Sequence, residues 1–211
     1  MADPHVAILI PSYGQRALAN LARDAIAAFT EDVSHDVRLL DHAGAKIGWP
    51  APGSKSVGKN LEQLWLGVGF EATHVFVMHD DALPLRPGWL AYLLSKPGPV
   101  TGVKESEGTK CAHGSGVLYE SEFLRHVTLE ANLPARDAGE WPGNWTAKAH
   151  PHRQSCVSAQ CQSRWWGGFE CDVSYHDDGE LLYAHLGGGT LNNRPDTMAW
   201  IAAAREALGL V

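Results

Sequence analysis

No stretch of about 18 consecutive apolar residues occurs in the 211-residue chain, so nothing in it reads as a membrane-spanning helix. The opening residues MADPHVAILIPSYG lack a positive n-region and a long apolar stretch, which reads as no secretory signal. No run of Lys or Arg marks a nucleic-acid stripe. A formal net charge of −7 argues against strong non-specific binding to polyanions and leaves room only for a local basic groove. Cysteine is scarce. A domain of this length needs no staples, so the four thiols read as reduced and the expected location is the cytoplasm. Repeats and low-complexity tracts are absent. What is left is an ordinary globular composition, 45% hydrophobic and 19% charged, long enough for one domain with a substantial core, or a core plus a flap.

A zinc module is the first positive feature to weigh. His150, His152, Cys156, Cys161 and Cys171 lie within 22 positions, and soft ligands that close can hold Zn²⁺. There is no C-x-x-C pair and the spacing fits no common zinc module, so unliganded loop residues are the default.

Short apolar runs ending at turn residues outline the fold. His5 to Ile10 reads as a buried parallel strand that stops at Pro11. Leu18, Leu21, Ala25, Ala28 and Phe29 then recur at helical spacing. Residues 36–40 predict a second strand ending at Asp41, and residues 74–78 a third ending at His79-Asp80-Asp81. Leu61, Leu64, Trp65 and Val68 share one face of a helix over 57–70, Pro87 opens another that reaches Leu94, and a last helix spans 195–210. Strands alternating with helices predict an α/β fold with a mostly parallel sheet flanked by helices. The alternation weakens from about residue 95. Residues 131–168, rich in Pro, Gly, Trp and Asn, read as a long loop or flap over a site.

Gly53 to Asn60, GSKSVGKN, is one residue from the G-x-x-x-x-G-K-[ST] phosphate loop. Such a loop must follow a buried strand directly, yet Lys46-Ile-Gly-Trp-Pro-Ala-Pro52 precedes it, which no central strand tolerates. Asn60 also lacks the hydroxyl that would bind Mg²⁺. The segment reads as a flexible lead into the helix over 57–70, with Lys55 or Lys59 free to touch a ligand.

Ligands of open α/β sheets bind beyond the carboxyl ends of the strands. Three such ends here carry polar groups: Pro11-Ser12-Tyr13, Asp41-His42 and His79-Asp80-Asp81. Two adjacent acids after a buried strand repel each other unless a cation sits between them and an anionic ligand; the plainer reading is a helix-capping acid. Glu170 and Asp172 follow a Gly-Gly pair and bulky aromatics, where an apolar wall would raise a carboxylate toward a working base; surface acids at a helix start fit equally. His185 precedes three glycines and suits a metal ligand on a mobile loop, although a lone His is more often structural.

In this order, the segments resemble metal-dependent glycosyltransferases of the GT-A fold, most closely the family 2 type. The likeness runs over roughly residues 5–190. VAILIPSYG looks like the opening strand and nucleotide loop, and VGKNLEQLWLGV like the helix that starts with Gly and Asn. HVFVMHDDALPLRPGWLAYLL is similar to the strand, D-x-D motif and following helix. HGSGVLYESEFL looks like the acceptor-side segment, WWGGFECDVSY like the Gly-Gly and acidic cluster, and YAHLGGGT like the late metal-binding His. The resemblance implies a single domain, with a nucleotide-sugar half over 5–103, an acceptor half and Trp/Gly-rich flap over 104–194, and a C-terminal helix over 195–211.

The implied donor is a nucleotide sugar of UDP or GDP type, contacted by Pro11, Ser12, Tyr13, Asp41, Lys59, Asn60, His79 and Asp80. Asp81 and His185 are the implied ligands of a divalent metal, Mn²⁺ or Mg²⁺. Gly114, Ser115, Trp165 and Trp166 are the implied acceptor contacts. The motif departs from D-x-D by placing His79 first. An ungapped match on Gly167-Gly168 makes Glu170 the implied general base of an inverting transfer and Asp172 the runner-up. The acceptor stays open between a small molecule, a protein side chain and a hydroxymethylated DNA base, toward which His150, His152, Arg153 and Arg164 beside tryptophans are suited. Rival functions are a non-catalytic sugar-nucleotide or glycan-binding module and a zinc hydrolase built on the His/Cys segment.

Overall fold

The first apolar run forms β1 (His5–Ser12), buried from Val6 onward in the computed structural model, which describes residues 3–12, 14–41, 64–65, 67–104, 112–131, 156–187 and 196–210. β2 (Ser34–Asp41) and β3 (His74–Met78) run parallel on either side of it. β4 (Ala82–Pro84) leaves this sheet, while β5 (Val100–Gly102), β6 (Gly116–Glu120) and β7 (Cys156–Ser158) extend it in the order β2-β1-β3-β6-β5-β7. Every strand but β6 points the same way, so the expected mostly parallel sheet is present.

Period-two alternation along β1 divides its side chains between two cores. Val6, Ile8 and Ile10 pack with Leu18, Leu21, Ala25 and Ile26 of α1 (Arg16–Phe29). Ala7 and Leu9 face the other way, toward Leu64, Trp65, Val75 and Leu124. α2 (Trp89–Leu94) starts after Gly88, whose φ of 77° lies in the left-handed region that glycine adopts without strain. Trp89 at its first turn is fully buried, donates to Thr30 Oγ1 at 2.9 Å and meets Phe76 edge-on at 5.0 Å. α3 (Ser121–Ala131) follows β6, and α4 (Thr197–Leu208) closes the chain with buried Trp200 and a Gly209 cap. Of the helix expected over 57–70, Leu64 and Trp65 are helical and buried; most of its length lies outside the described residues.

The second half differs from expectation. β8 (Gln160–Trp166), β9 (Phe169–Tyr175) and β10 (Leu181–His185) join β4 in an antiparallel sheet ordered β4-β10-β9-β8. The Trp-rich segment from Cys156 to Trp166 is therefore strand, not loop; residues 132–155 lie outside the described residues. The cause is Gly167-Gly168. Positive φ at both, 58° and 81°, makes a two-residue hairpin turn whose twist suits paired strands.

Three contacts lock the sheets together. Ser174 Oγ donates to Val103 O, Tyr183 OH donates to Ser115 O at 3.0 Å, and Gly116 lets Val103 and Tyr183 approach its backbone. The turn after β9 is tied to α2 by Tyr92 OH–Asp177 at 2.8 Å and to the residues just after that helix by Lys96–Asp177 at 2.6 Å. Among the described residues, no helix is long and apolar enough to cross a membrane.

Candidate metal centre

Because β2, β1 and β3 are parallel, their carboxyl ends bring Asp41, Ser12 and His79 to one edge. Pro11 and Ser12 are buried there. Asp41 Oδ1 accepts the Gly14 N–H at 2.8 Å, fastening the loop after β1 to the end of β2. Tyr13, Lys59 and Asn60, and all of GSKSVGKN, lie outside the described residues.

His79-Asp80-Asp81 forms a tight turn from β3 into β4. The Ala82 N–H reaches His79 O, and the His79 N–H reaches Ser115 O, each at 3.3 Å. Antiparallel pairing then aligns β10 with β4, setting His185 opposite Ala82, and the Leu186 N–H bonds Asp81 O at 2.9 Å. Asp81 and His185 are thereby brought together: His185 Nε2 lies 3.3 Å from Asp81 Oδ1. His79 Nδ1 approaches the same oxygen at 4.0 Å. One ligand atom from each of His79, Asp81 and His185 lies within 4.8 Å of the others. Sequence reasoning gave His79 to the nucleotide; here it sits among the metal-type donors. Asp80 is buried beside them.

The next strand adds another acid. β9 pairs with β10 so that Asp172 faces His185, with Asp172 Oδ2 3.6 Å from His185 Nδ1. Lys104 Nζ ion-pairs with the same Asp172 oxygen. Glu170 sits two residues along β9, exposed, opposite Trp165 and 3.5 Å from Ser163 Oγ. Trp165 is 75% exposed, whereas Trp166 is half-buried against Trp200 at 6.2 Å. Ser115 is wholly buried. Its carbonyl receives Tyr183 and His79, and its hydroxyl lies 3.0 Å from His113 Nδ1. Gly114, half-buried, lies in the same turn.

Two residues here escaped sequence reasoning. The His113 ring lies 6.0 Å from that of His79 and 5.8 Å from that of His185. It stands inside the HGSG stretch, where the glycines drew attention and the imidazole did not. Lys104 follows a three-residue strand in an unremarkable sequence, and only the sheet-to-sheet packing aims it at Asp172.

Electrostatics separates the three imidazoles. Burial, then repulsion from His185, pushes His79 down to about 4. Burial, then the Lys104 charge, pushes His113 down to about 3. Burial opposes the proton on His185 as well, but the Asp81 and Asp172 carboxylates outweigh it and raise its pKa. Contact with His185, helped by Lys104 and opposed by burial, holds Asp172 well below the usual carboxylate range.

Two imidazole nitrogens and a carboxylate oxygen, held near one another in a mostly buried corner, fit a divalent transition cation. Among the described residues this is the cluster with that character. In the sequence's zinc alternative, Cys161 and Cys171 are not joined in disulfides, and His150 and His152 lie outside the described residues.

Neither a family model nor any curated protein sequence matches this chain. Solved structures do. The galactosyltransferase LgtC, solved with donor and acceptor sugar analogues, aligns over 97% of this chain and 96% of its own at 10% identity, with a TM-score of 0.56. Glucosyl-3-phosphoglycerate synthase from Mycobacterium tuberculosis, in complex with phosphoglyceric acid, aligns over 98% and 80% at 12% identity, TM-score 0.52. A Drosophila β-1,4-galactosyltransferase 7, solved with manganese, UDP-Gal and xylobiose, overlaps at 14% identity and TM-score 0.45 over 59% of this chain; the chain spans about half of that protein, 52%. The two longer alignments give the architecture: the chain has the GT-A fold.

Proposed function

We infer that this chain is a metal-dependent glycosyltransferase, of a kind resembling family 2, which moves a sugar from a nucleotide sugar to an acceptor hydroxyl with inversion. The observation that carries this reading is the His79–Asp81–His185 cluster at the carboxyl edge of a GT-A sheet, beside the strand ends bearing Ser12 and Asp41. His79, Asp81 and His185 would hold a divalent cation, Mn²⁺ in preference to Mg²⁺ because two of the donors are imidazoles. Bound there, that cation supplies Lewis-acid neutralisation of the leaving diphosphate.

The chain's own residues divide the remaining work. Pro11, Ser12 and Asp41, with Tyr13, Lys59, Asn60 and Asp80, form the nucleotide side. Glu170 is the general base. Its exposure on the Asp172 face of β9, about 7 Å along the strand from that residue, supports this role, in which it would meet an acceptor hydroxyl on the side of the sugar away from the diphosphate. Asp172 suits that role less, since its carboxylate already faces Lys104 and His185. Exposed Trp165 offers the acceptor a flat apolar face, and Trp166 holds the hairpin against Trp200. Gly114 and Ser115 set the acceptor-side turn through backbone, Ser115 being buried.

Incubation with UDP-, GDP-, CDP- and dTDP-sugars and Mn²⁺, following release of nucleoside diphosphate, tests the reading. Turnover of one donor class is expected. Binding without turnover of any donor would favour a sugar-nucleotide-binding module instead.

A further inference from the structure

An imidazole that binds a cation through one nitrogen keeps its proton on the other, and the group receiving that proton decides which nitrogen is which. His185 lies between two acids: its Nε2 faces Asp81 at 3.3 Å and its Nδ1 faces Asp172 at 3.6 Å, just beyond hydrogen-bond length. The His185 side chain is 9% exposed, so the ring has little room to exchange the two. Asp172 is in turn gripped by Lys104, at the same Oδ2 oxygen that faces His185. The row is set by backbone register, since β10 pairs His185 with Ala82 of β4 on one side and with Asp172 of β9 on the other.

We propose that Lys104, Asp172 and His185 form a relay that orients the cation site: Lys104 holds the Asp172 carboxylate, Asp172 accepts the Nδ1 proton of His185, and the Nε2 lone pair is thereby directed at the cation shared with Asp81 and His79. Asp172 is then a positioning residue rather than the base, acting through His185. Lys104 has two effects: it fixes the carboxylate's direction, and it offsets the second negative charge beside Asp81, which an unaccompanied Asp172 would leave in a poorly solvated corner. The inference rests on reading His79–Asp81–His185 as a cation site.

Co²⁺ titration of the whole chain, followed by its visible absorption and by competition with a chelator, separates the two claims without any assay of turnover. Asp172→Asn is expected to bind Co²⁺ about 10- to 100-fold more weakly than the wild type, with an altered visible spectrum and a near-unchanged melting temperature. Asp172→Glu is expected to recover part of the affinity, and Lys104→Met to lose less than Asp172→Asn. A purely structural Asp172 would lower the melting temperature and leave the cobalt spectrum of the folded fraction alone, and that result overturns the relay. If Asp172→Asn does not fold, the Lys104→Met titration decides, and wild-type affinity and spectrum there overturn the relay. Wild-type Co²⁺ binding by Asp172→Asn, alongside its loss in Asp81→Asn, overturns the relay and keeps the cation site. Absence of Co²⁺ binding by the wild type overturns both.

Discussion

At the residue scale, His79, Asp81 and His185 differ from the acids and rings around them because they converge on one point in a mostly buried corner. Asp81 is buried and contributes the oxygen that both imidazoles face. Asp81→Asn is therefore expected to abolish the metal-dependent part of nucleotide stabilisation, read as the loss of the Mn²⁺-induced increment in a melting curve with nucleoside diphosphate. Glu170→Gln makes the opposite prediction. An exposed residue away from the cluster should leave that increment intact while transfer falls by about 10²- to 10⁴-fold, measured as the initial rate on the preferred donor. Full transfer by Glu170→Gln would move the base elsewhere on the site face. Asp81, His185 and the Glu170/Asp172 pair were legible as candidates because acids after a buried strand and after a Gly-Gly turn are conspicuous. Lys104 and His113 were not, because nothing local distinguishes a lysine or histidine that points at a site from one that points at water.

At the scale of elements, β1, β3 and most of β2 could be read from sequence for a physical reason. A strand packed on both faces must be apolar throughout, and Val6 to Ile10 and Val75 to Met78 are. α1 was legible because Leu18, Leu21 and Ala25 return to one face. β8 was not. Its Gln160-Cys-Gln-Ser-Arg-Trp-Trp166 is an edge strand, largely exposed on both faces, so no alternation survives to mark it. Nor does any local pattern encode the register of β10 on β4, which creates the cluster. The junction of the two sheets makes its own prediction. A Cβ on Gly116 would stand 2.6 Å from Val103 Cγ2 and 3.1 Å from the Tyr183 hydroxyl. Gly116→Ala should cost about 1–3 kcal/mol in urea unfolding and weaken metal binding with it, since Ser115 and His79 are strung on the same backbone. An unchanged unfolding midpoint would show that the junction yields more readily than these distances allow.

At the scale of the whole molecule, the GT-A architecture brings a mostly parallel sheet and a smaller antiparallel one together with the candidate site at their junction. The three imidazoles there give a testable dependence of stability on pH in the absence of metal. His79 and His113 resist protonation in the folded chain, at about 4 and about 3, but accept protons near pH 6.5 once unfolded. The unfolded state then binds more protons between those values, so stability should fall as pH drops from about 6.5 toward 4. His185 has the opposite sign, its raised pKa favouring the folded state on acidification, and it offsets part of the loss. His113→Asn removes one of the two groups on the destabilising side and should flatten the slope, as measured by urea midpoints at pH 7 and pH 5.

The most direct test of the central claim is a melting-temperature screen of UDP, GDP, CDP and dTDP, each with and without Mn²⁺. A nucleotide at about 100 times its dissociation constant is expected to raise the midpoint by roughly 5–10 °C for a chain of this size. One nucleotide should do so, only with the metal present, and the effect should disappear in Asp81→Asn. Stabilisation by none of the four, or an equal shift with and without metal, would contradict the account.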